Sequence, residues 1–86
     1  MKSAVHPSFW KQYSALPREA QLLADKSYDL WLKDHRYPGL HFKPLNRGMW
    51  SARIGSHYRA VGYFEDKDTF LWTWIGTHEE YNNLKF

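Results

Sequence analysis

The sequence predicts an α+β domain: two N-terminal helices on one face of a small antiparallel β-sheet, closed by a short C-terminal helical segment. Three observations predict it. Apolar residues recur with a helical period as far as Trp31, the period drops to two after Gly39, and turn residues cut the second half into short strands. The 86 residues suffice for one core, so residues 1–86 are expected to form a single domain. Five Trp, six Tyr and five Phe supply much of that core, because each ring can bury roughly 150–250 Å². The absence of cysteine rules out a disulfide framework, a thiolate metal site and a Cys nucleophile. No apolar run is long enough for a membrane-spanning helix. Residues 1–5 are not followed by the apolar stretch of a secretory signal, so a cytoplasmic protein is expected.

Residues 2–5 read as a short edge strand ending at His6-Pro7. Ser8 is the expected cap of a first helix over 9–14, and Pro17 the first residue of a longer one, where its missing N–H costs nothing. In the long helix Ala20, Leu23, Ala24, Ser27, Leu30 and Trp31 form one apolar stripe, and Tyr37-Pro38-Gly39 ends it. Leu40 and Phe42 then alternate with His41 and Lys43 until Pro44 interrupts, which predicts an edge strand. Asn46-Arg47-Gly48 is a turn, followed by strands over 49–54, 58–65 and 69–76. Thr77 is placed to cap a helical segment reaching Tyr81.

The hydrophobic pattern selects the register of the hairpin around Gly55-Ser56-His57. A two-residue loop would set Arg59 opposite Ala52, on the face that carries Trp50 and Ile54. A three-residue loop sets Ile54 opposite Tyr58, Ala52 opposite Ala60 and Trp50 opposite Gly62, and puts Arg53 opposite Arg59 on the other face. A one-residue slip would bury an arginine, so the second register is expected. Two like charges directly opposite repel. An anion or a carboxylate between them would relieve this; the alternative is that both guanidinia splay into water.

The net charge of +3 is unevenly spread. No acidic residue lies between Asp34 and Glu65, an interval that holds Arg36, Lys43, Arg47, Arg53 and Arg59. Chance clustering on a solvated surface would explain this; so would a site for a polyanion. Glycine-rich phosphate loops, an acidic metal cluster and a Ser-His-Asp order are missing. His78-Glu79 has no third ligand nearby, so neither metal nor cofactor is expected. The remaining constellation is Lys43, Arg53, Arg59, His78 and Tyr81. The Trp72-Thr73-Trp74 alternation puts two indoles on one face, where they fill the core or stack on a base.

Five stretches resemble the RelE/ParE superfamily of type II toxin–antitoxin toxins, from the first helix to Tyr81. They are Ala15-Leu16-Pro17-Arg18-Glu19-Ala20-Gln21, Gly39-Leu40-His41-Phe42-Lys43-Pro44-Leu45 and Met49-Trp50-Ser51-Ala52-Arg53-Ile54, with Tyr58-Arg59-Ala60-Val61-Gly62-Tyr63 and Trp74-Ile75-Gly76-Thr77-His78-Glu79-Glu80-Tyr81. The resemblance implies helices on an antiparallel sheet and, for the ribonuclease members, metal-independent cleavage of mRNA in the ribosomal A site. It matches Arg59 to the arginine at the scissile phosphate, Arg53 to a second basic strand residue and His78 to the C-terminal histidine of the YoeB-like branch. That branch follows its histidine directly with a tyrosine, whereas Glu79 and Glu80 stand before Tyr81 here. Lys43 stands where that branch carries a glutamate proposed as general base, and an ammonium group cannot accept a proton.

RNA cleavage of this kind needs a base for the 2′-OH, charge stabilisation at phosphorus and an acid for the 5′-oxygen. Arg59 with Arg53 suits the second need, because a guanidinium offers phosphate a planar donor fork. His78 suits proton transfer, and Tyr81 and Lys43 are in reserve for the other transfer or for positioning. The resemblance also implies a cognate antitoxin whose acidic segment covers the basic interval, adding to the helices or to the sheet edge near Pro44. Two other readings stay open. The ParE arm keeps the fold and poisons DNA gyrase; a non-catalytic RNA- or ribosome-binding module would use the same basic face.

Overall fold

A computed structural model describes residues 2–84. Its elements in chain order are β1 (Lys2–Val5), α1 (Pro7–Ser14), α2 (Arg18–Lys33), a 3₁₀ turn (Pro38–Leu40), β2 (Lys43–Pro44), a second 3₁₀ turn (Asn46–Gly48), β3 (Met49–Ile54), β4 (Tyr58–Asp66), β5 (Thr69–Thr77) and α3 (His78–Asn82). The five strands form one sheet in the order β1-β5-β4-β3-β2. The α+β class and the helices-first order are those expected from periodicity. One feature of the sheet differs: β2 to β5 pair antiparallel, but β1 joins the far edge parallel to β5, so the sheet is mixed.

The first helix starts earlier than expected. His6, not Ser8, is its N-cap, with the imidazole Nδ1 accepting the Ser8 N–H, and Pro7 follows at the first helical position. The Ser8 hydroxyl instead donates to the Thr73 carbonyl at 2.9 Å, while the Gln12 side-chain oxygen accepts the Ile75 N–H at 3.1 Å. Both bonds tie α1 to the stretch of β5 beyond the end of β1. In α2, Ala20, Ala24 and Trp31 are buried as the stripe predicts, but Leu23 is 43% exposed, reaching over the Gly55 turn. The expected strand at Leu40 and Phe42 shrinks to Lys43–Pro44. Leu40 lies in a 3₁₀ turn, and Phe42 leaves strand geometry to stack on Trp50, with ring centroids 4.8 Å apart.

The β3–β4 register is the expected one: Ile54 faces Tyr58, Ala52 faces Ala60, Arg53 faces Arg59 and Trp50 faces Gly62. Gly55 makes the turn possible with φ of 59°, a left-handed conformation that costs glycine little. Trp50, Ile54 and Tyr58 consequently join the core beneath α2, alongside Leu30. Aromatic rings fill its centre. Trp31 meets Phe42, Phe70 and Trp72 at centroid distances of 5.7, 5.4 and 5.2 Å.

A bulge in β5 corrects one expectation about the tryptophans. Val61 pairs with Trp74 and Gly62 with Trp72, which leaves Thr73 as an extra residue. The extra residue inverts the alternation. Trp72 points into the helix-side core, while Trp74 shares the opposite face with Arg59 and Gly76 instead of lying beside Trp72.

Candidate functional site

Strand alternation brings Ser51, Arg53 and Arg59 to the face of the sheet that the two long helices leave open. Lys43 pairs with Ser51 in the β2–β3 ladder and brings a cation to the same face. The end of β5 adds α3. Thr77 caps it through a reciprocal arrangement: its hydroxyl oxygen accepts the Glu80 N–H at 3.1 Å, and Glu80 Oε1 accepts the Thr77 N–H at 2.9 Å. The His78 N–H donates across to the His57 carbonyl at 2.7 Å, pinning the start of α3 to the β3–β4 turn.

The spacing His78-Glu79-Glu80-Tyr81 acquires a physical reason here. Residues three apart lie on one face of a helical turn, so the two intervening glutamates bring Tyr81 beside His78 rather than away from it. The rings stack at 6.0 Å with planes 23° apart. Glu80 is needed for the cap that winds this turn.

Arg59 stands at the centre. Its Nε donates to His78 Nδ1 at 3.3 Å, its terminal Nη1 to Ser51 Oγ at 3.5 Å, and its Cζ lies 5.0 Å from the centroid of the Tyr81 ring. Tyr81 Oη donates to the same Ser51 hydroxyl at 3.4 Å. The bond from Arg59 engages the lone pair of His78 Nδ1. Arg53 turns away and donates from Nε to the Gly55 carbonyl at 2.9 Å. Acceptors of this kind, not an intervening carboxylate, thus hold the two opposed guanidinia.

Of the five expected residues, four form one connected group or flank it: Arg59, His78, Tyr81 and Arg53. Lys43 is exposed on β2, joined to the group by its strand pairing with Ser51. Sequence reasoning missed Ser51, which has no exposed surface and joins Arg59 to Tyr81. Its signal was available: a serine two residues before Arg53 on the charged side of an alternating strand. Beside the group, a groove of about 350 Å³ runs between His57, Tyr58, His78 and Glu79. Among the described residues no three His, Asp or Glu side chains gather as metal ligands, and no helix is long and apolar enough to cross a membrane.

The family model of the ParE-like toxin domain matches residues 20–83. Among solved structures, the chain is similar to a YoeB/ParE toxin from Agrobacterium tumefaciens, with 25% identity, a TM-score of 0.65 and coverage of 91% of this chain and 99% of that one. It is also similar to a chain of the RelBE2 toxin–antitoxin complex from Mycobacterium tuberculosis (21% identity, TM-score 0.65, 90% and 96% covered). A chain of the RelB–RelE antitoxin–toxin complex from Methanococcus jannaschii superposes with a TM-score of 0.71 at 12% identity, with 92% and 94% covered. No curated protein matches the sequence.

Proposed function

The chain belongs to the ParE-like toxin family, and we propose that it is a cytoplasmic, metal-independent endoribonuclease that cleaves mRNA on the ribosome and so inhibits translation. The observation that carries this reading is Arg59, which joins His78, Ser51 and Tyr81 into one group on the open face of the sheet. The donors of Arg59 rest on the His78 ring and the Ser51 hydroxyl. A phosphodiester is a stronger acceptor than either, because hydrogen bonds to a charged group are shorter and stronger. When Arg59 turns its donors to the phosphate, the Nδ1 lone pair of His78 is released to act as base.

His78 then takes the 2′-OH proton, the 2′-oxygen attacks phosphorus, and Arg59 with Arg53 neutralises the charge that builds on the equatorial oxygens. The bond from phosphorus to the 5′-oxygen breaks, and the Lys43 ammonium protonates the departing oxygen. The products are a 2′,3′-cyclic phosphate and a 5′-hydroxyl. Tyr81 positions Arg59 from below and stacks against His78.

The basic interval also supports a cognate antitoxin with an acidic covering segment as partner, and the similar structures from M. tuberculosis and M. jannaschii are toxin–antitoxin complexes. A second reading, inhibition of DNA gyrase, draws on the ParE-like description of the matching family. Inducible expression in bacteria, with primer extension on translated messages and a DNA-damage reporter, separates the two. The nuclease reading expects cuts at defined positions, lost in the Arg59→Ala/His78→Ala variant. DNA breaks without RNA cuts, or undiminished growth inhibition by the double variant, would leave it without support.

A further inference from the structure

The bulge at Thr73 leaves one large side chain outside the core. Trp31, Trp50 and Trp72 pack there against other rings, whereas Trp74 is half-buried on the open face of the sheet. A bulge re-aims the side chains that follow it, and this one is held from two sides. The Thr73 carbonyl accepts the Ser8 hydroxyl at 2.9 Å, and the Thr73 hydroxyl donates to the Val61 carbonyl at 3.3 Å. Regular alternation puts residues 72 and 74 on one face; these bonds fix Trp74 on the side of Arg59.

Gly76 decides where the ring goes. It pairs with Arg59 across the β4–β5 ladder and follows Trp74 on the same face. A Cβ at Gly76 would come within 2.7 Å of Trp74 Cζ2 and 2.8 Å of Cη2, so the indole extends along β5 into the space a side chain would need. The ring thereby reaches the position opposite Arg59 and sets an aromatic surface beside that guanidinium. A neighbouring anion decides what this surface can receive. Glu80 Oε1 lies 3.0 Å from the same Cβ position, held by the Thr77 N–H and hydroxyl at 2.9 and 3.0 Å. A phosphate beside this carboxylate is repelled, and an uncharged base is not.

We propose that Trp74 is a stacking platform for one unpaired base of the RNA, that of a nucleotide adjoining the phosphate held by Arg59. A cationic track with an aromatic ring beside it holds single-stranded nucleic acid, because every base has a π-face. This role rests on the nuclease reading for the identity of the ligand and adds the residue that holds a base.

The test uses the whole chain and two oligomers that cannot be cut: 2′-O-methyl pentaadenylate, and the same backbone without bases. Saturable upfield NMR shifts of the Trp74 ring protons are expected with pentaadenylate alone. Trp74→Leu should weaken pentaadenylate binding about tenfold or more, while Trp74→Phe keeps most of the affinity. The baseless oligomer should bind the parent and Trp74→Leu alike. Comparing the two oligomers on the parent needs no variant, so it decides the matter even where Trp74→Leu does not fold. Equal affinity of the parent for both oligomers, unshifted Trp74 resonances, or undiminished pentaadenylate binding by a folded Trp74→Leu would overturn the role. So would a Trp74→Leu variant that loses only an antitoxin, which would give the ring to a protein partner. Cut mapping in a translating extract keeps the two readings apart. Stacking without cuts would remove the nuclease and keep the platform; cutting at an unchanged rate by Trp74→Leu would remove the platform and keep the nuclease.

Discussion

Arg53 and Arg59 stand opposite each other on neighbouring strands, where like charges repel, and each guanidinium has its own acceptor. Arg53 has the Gly55 carbonyl; Arg59 has His78 and Ser51. Replacing Arg59 by Ala should lower the rate of mRNA cleavage by about 10²–10³-fold, as does loss of one donor to a transition state. Arg59→Lys should recover little of that rate, because an ammonium group cannot engage phosphate with a planar fork. His78→Ala should cost about 10²–10⁴-fold by removing a proton-transfer group. Mapping cut ends in a translating extract measures all three. Tyr13 offers a test of pH dependence away from the site. Its hydrogen bond to Asp25, with burial and the carboxylate charge adding to it and Arg18 opposing, raises the phenol above its ordinary pKa of 10.0. The folded chain therefore keeps a proton that the unfolded chain releases. The stabilisation is complete below pH 10 and is lost as the pH climbs through the raised value. Thermal melts of Tyr13→Phe should accordingly depend less on alkaline pH than those of the parent.

Helix α3 has only five residues, too few to persist without its cap and its packing. Thr77→Ala removes the hydroxyl from the reciprocal cap and should cost about 1 kcal/mol. Because α3 carries both His78 and Tyr81, the same change should also reduce cleavage while leaving Arg59 in place. A drop in melting temperature with no change in activity would separate the cap from the site. Strand β4 is sensitive for a different reason. A Cβ at Gly62 would come within 2.5 Å of the Phe70 ring and closer still to the Leu71 carbonyl, beside the bulge. Backbone cannot yield there without disturbing the ladder. Gly62→Ala should destabilise the domain by about 1–3 kcal/mol, read by chemical denaturation.

At the scale of the molecule, charge is segregated along with structure. The stretch from Asp34 to Glu65 carries five cations and no anion between its ends, and β2, β3 and the start of β4 place three of them on neighbouring strands. Such a field speeds the approach of an acidic partner and is screened by salt. Lengthening the Debye screening distance from roughly 10 Å at 0.1 M salt to roughly 30 Å at 0.01 M should raise the association rate with an acidic antitoxin by about tenfold or more. Stopped-flow mixing across that range measures it. A rate independent of salt would place the contact away from this basic stretch.

Periodicity, turn chemistry and capping determined most of the architecture from the sequence alone. The switch from a period of 3.6 to 2 marks where helix gives way to strand. The cost of burying Arg59 selects its pairing with Arg53, and Thr77 announces α3. These are readable because each rests on a few residues close together in the chain, or on one strand and its neighbour across a tight turn. What only the tertiary structure decided involves segments far apart. Thr73 forms a bulge whose carbonyl is held by Ser8, 65 residues away, and this turns Trp74 to the face opposite Trp72. Phe42 gives up strand geometry for Trp50, β1 comes back parallel to β5, and Ser51 becomes the point where Arg59 and Tyr81 meet. Each outcome is fixed by a contact between distant parts of the chain, and alternation within a single segment carries no record of such a contact.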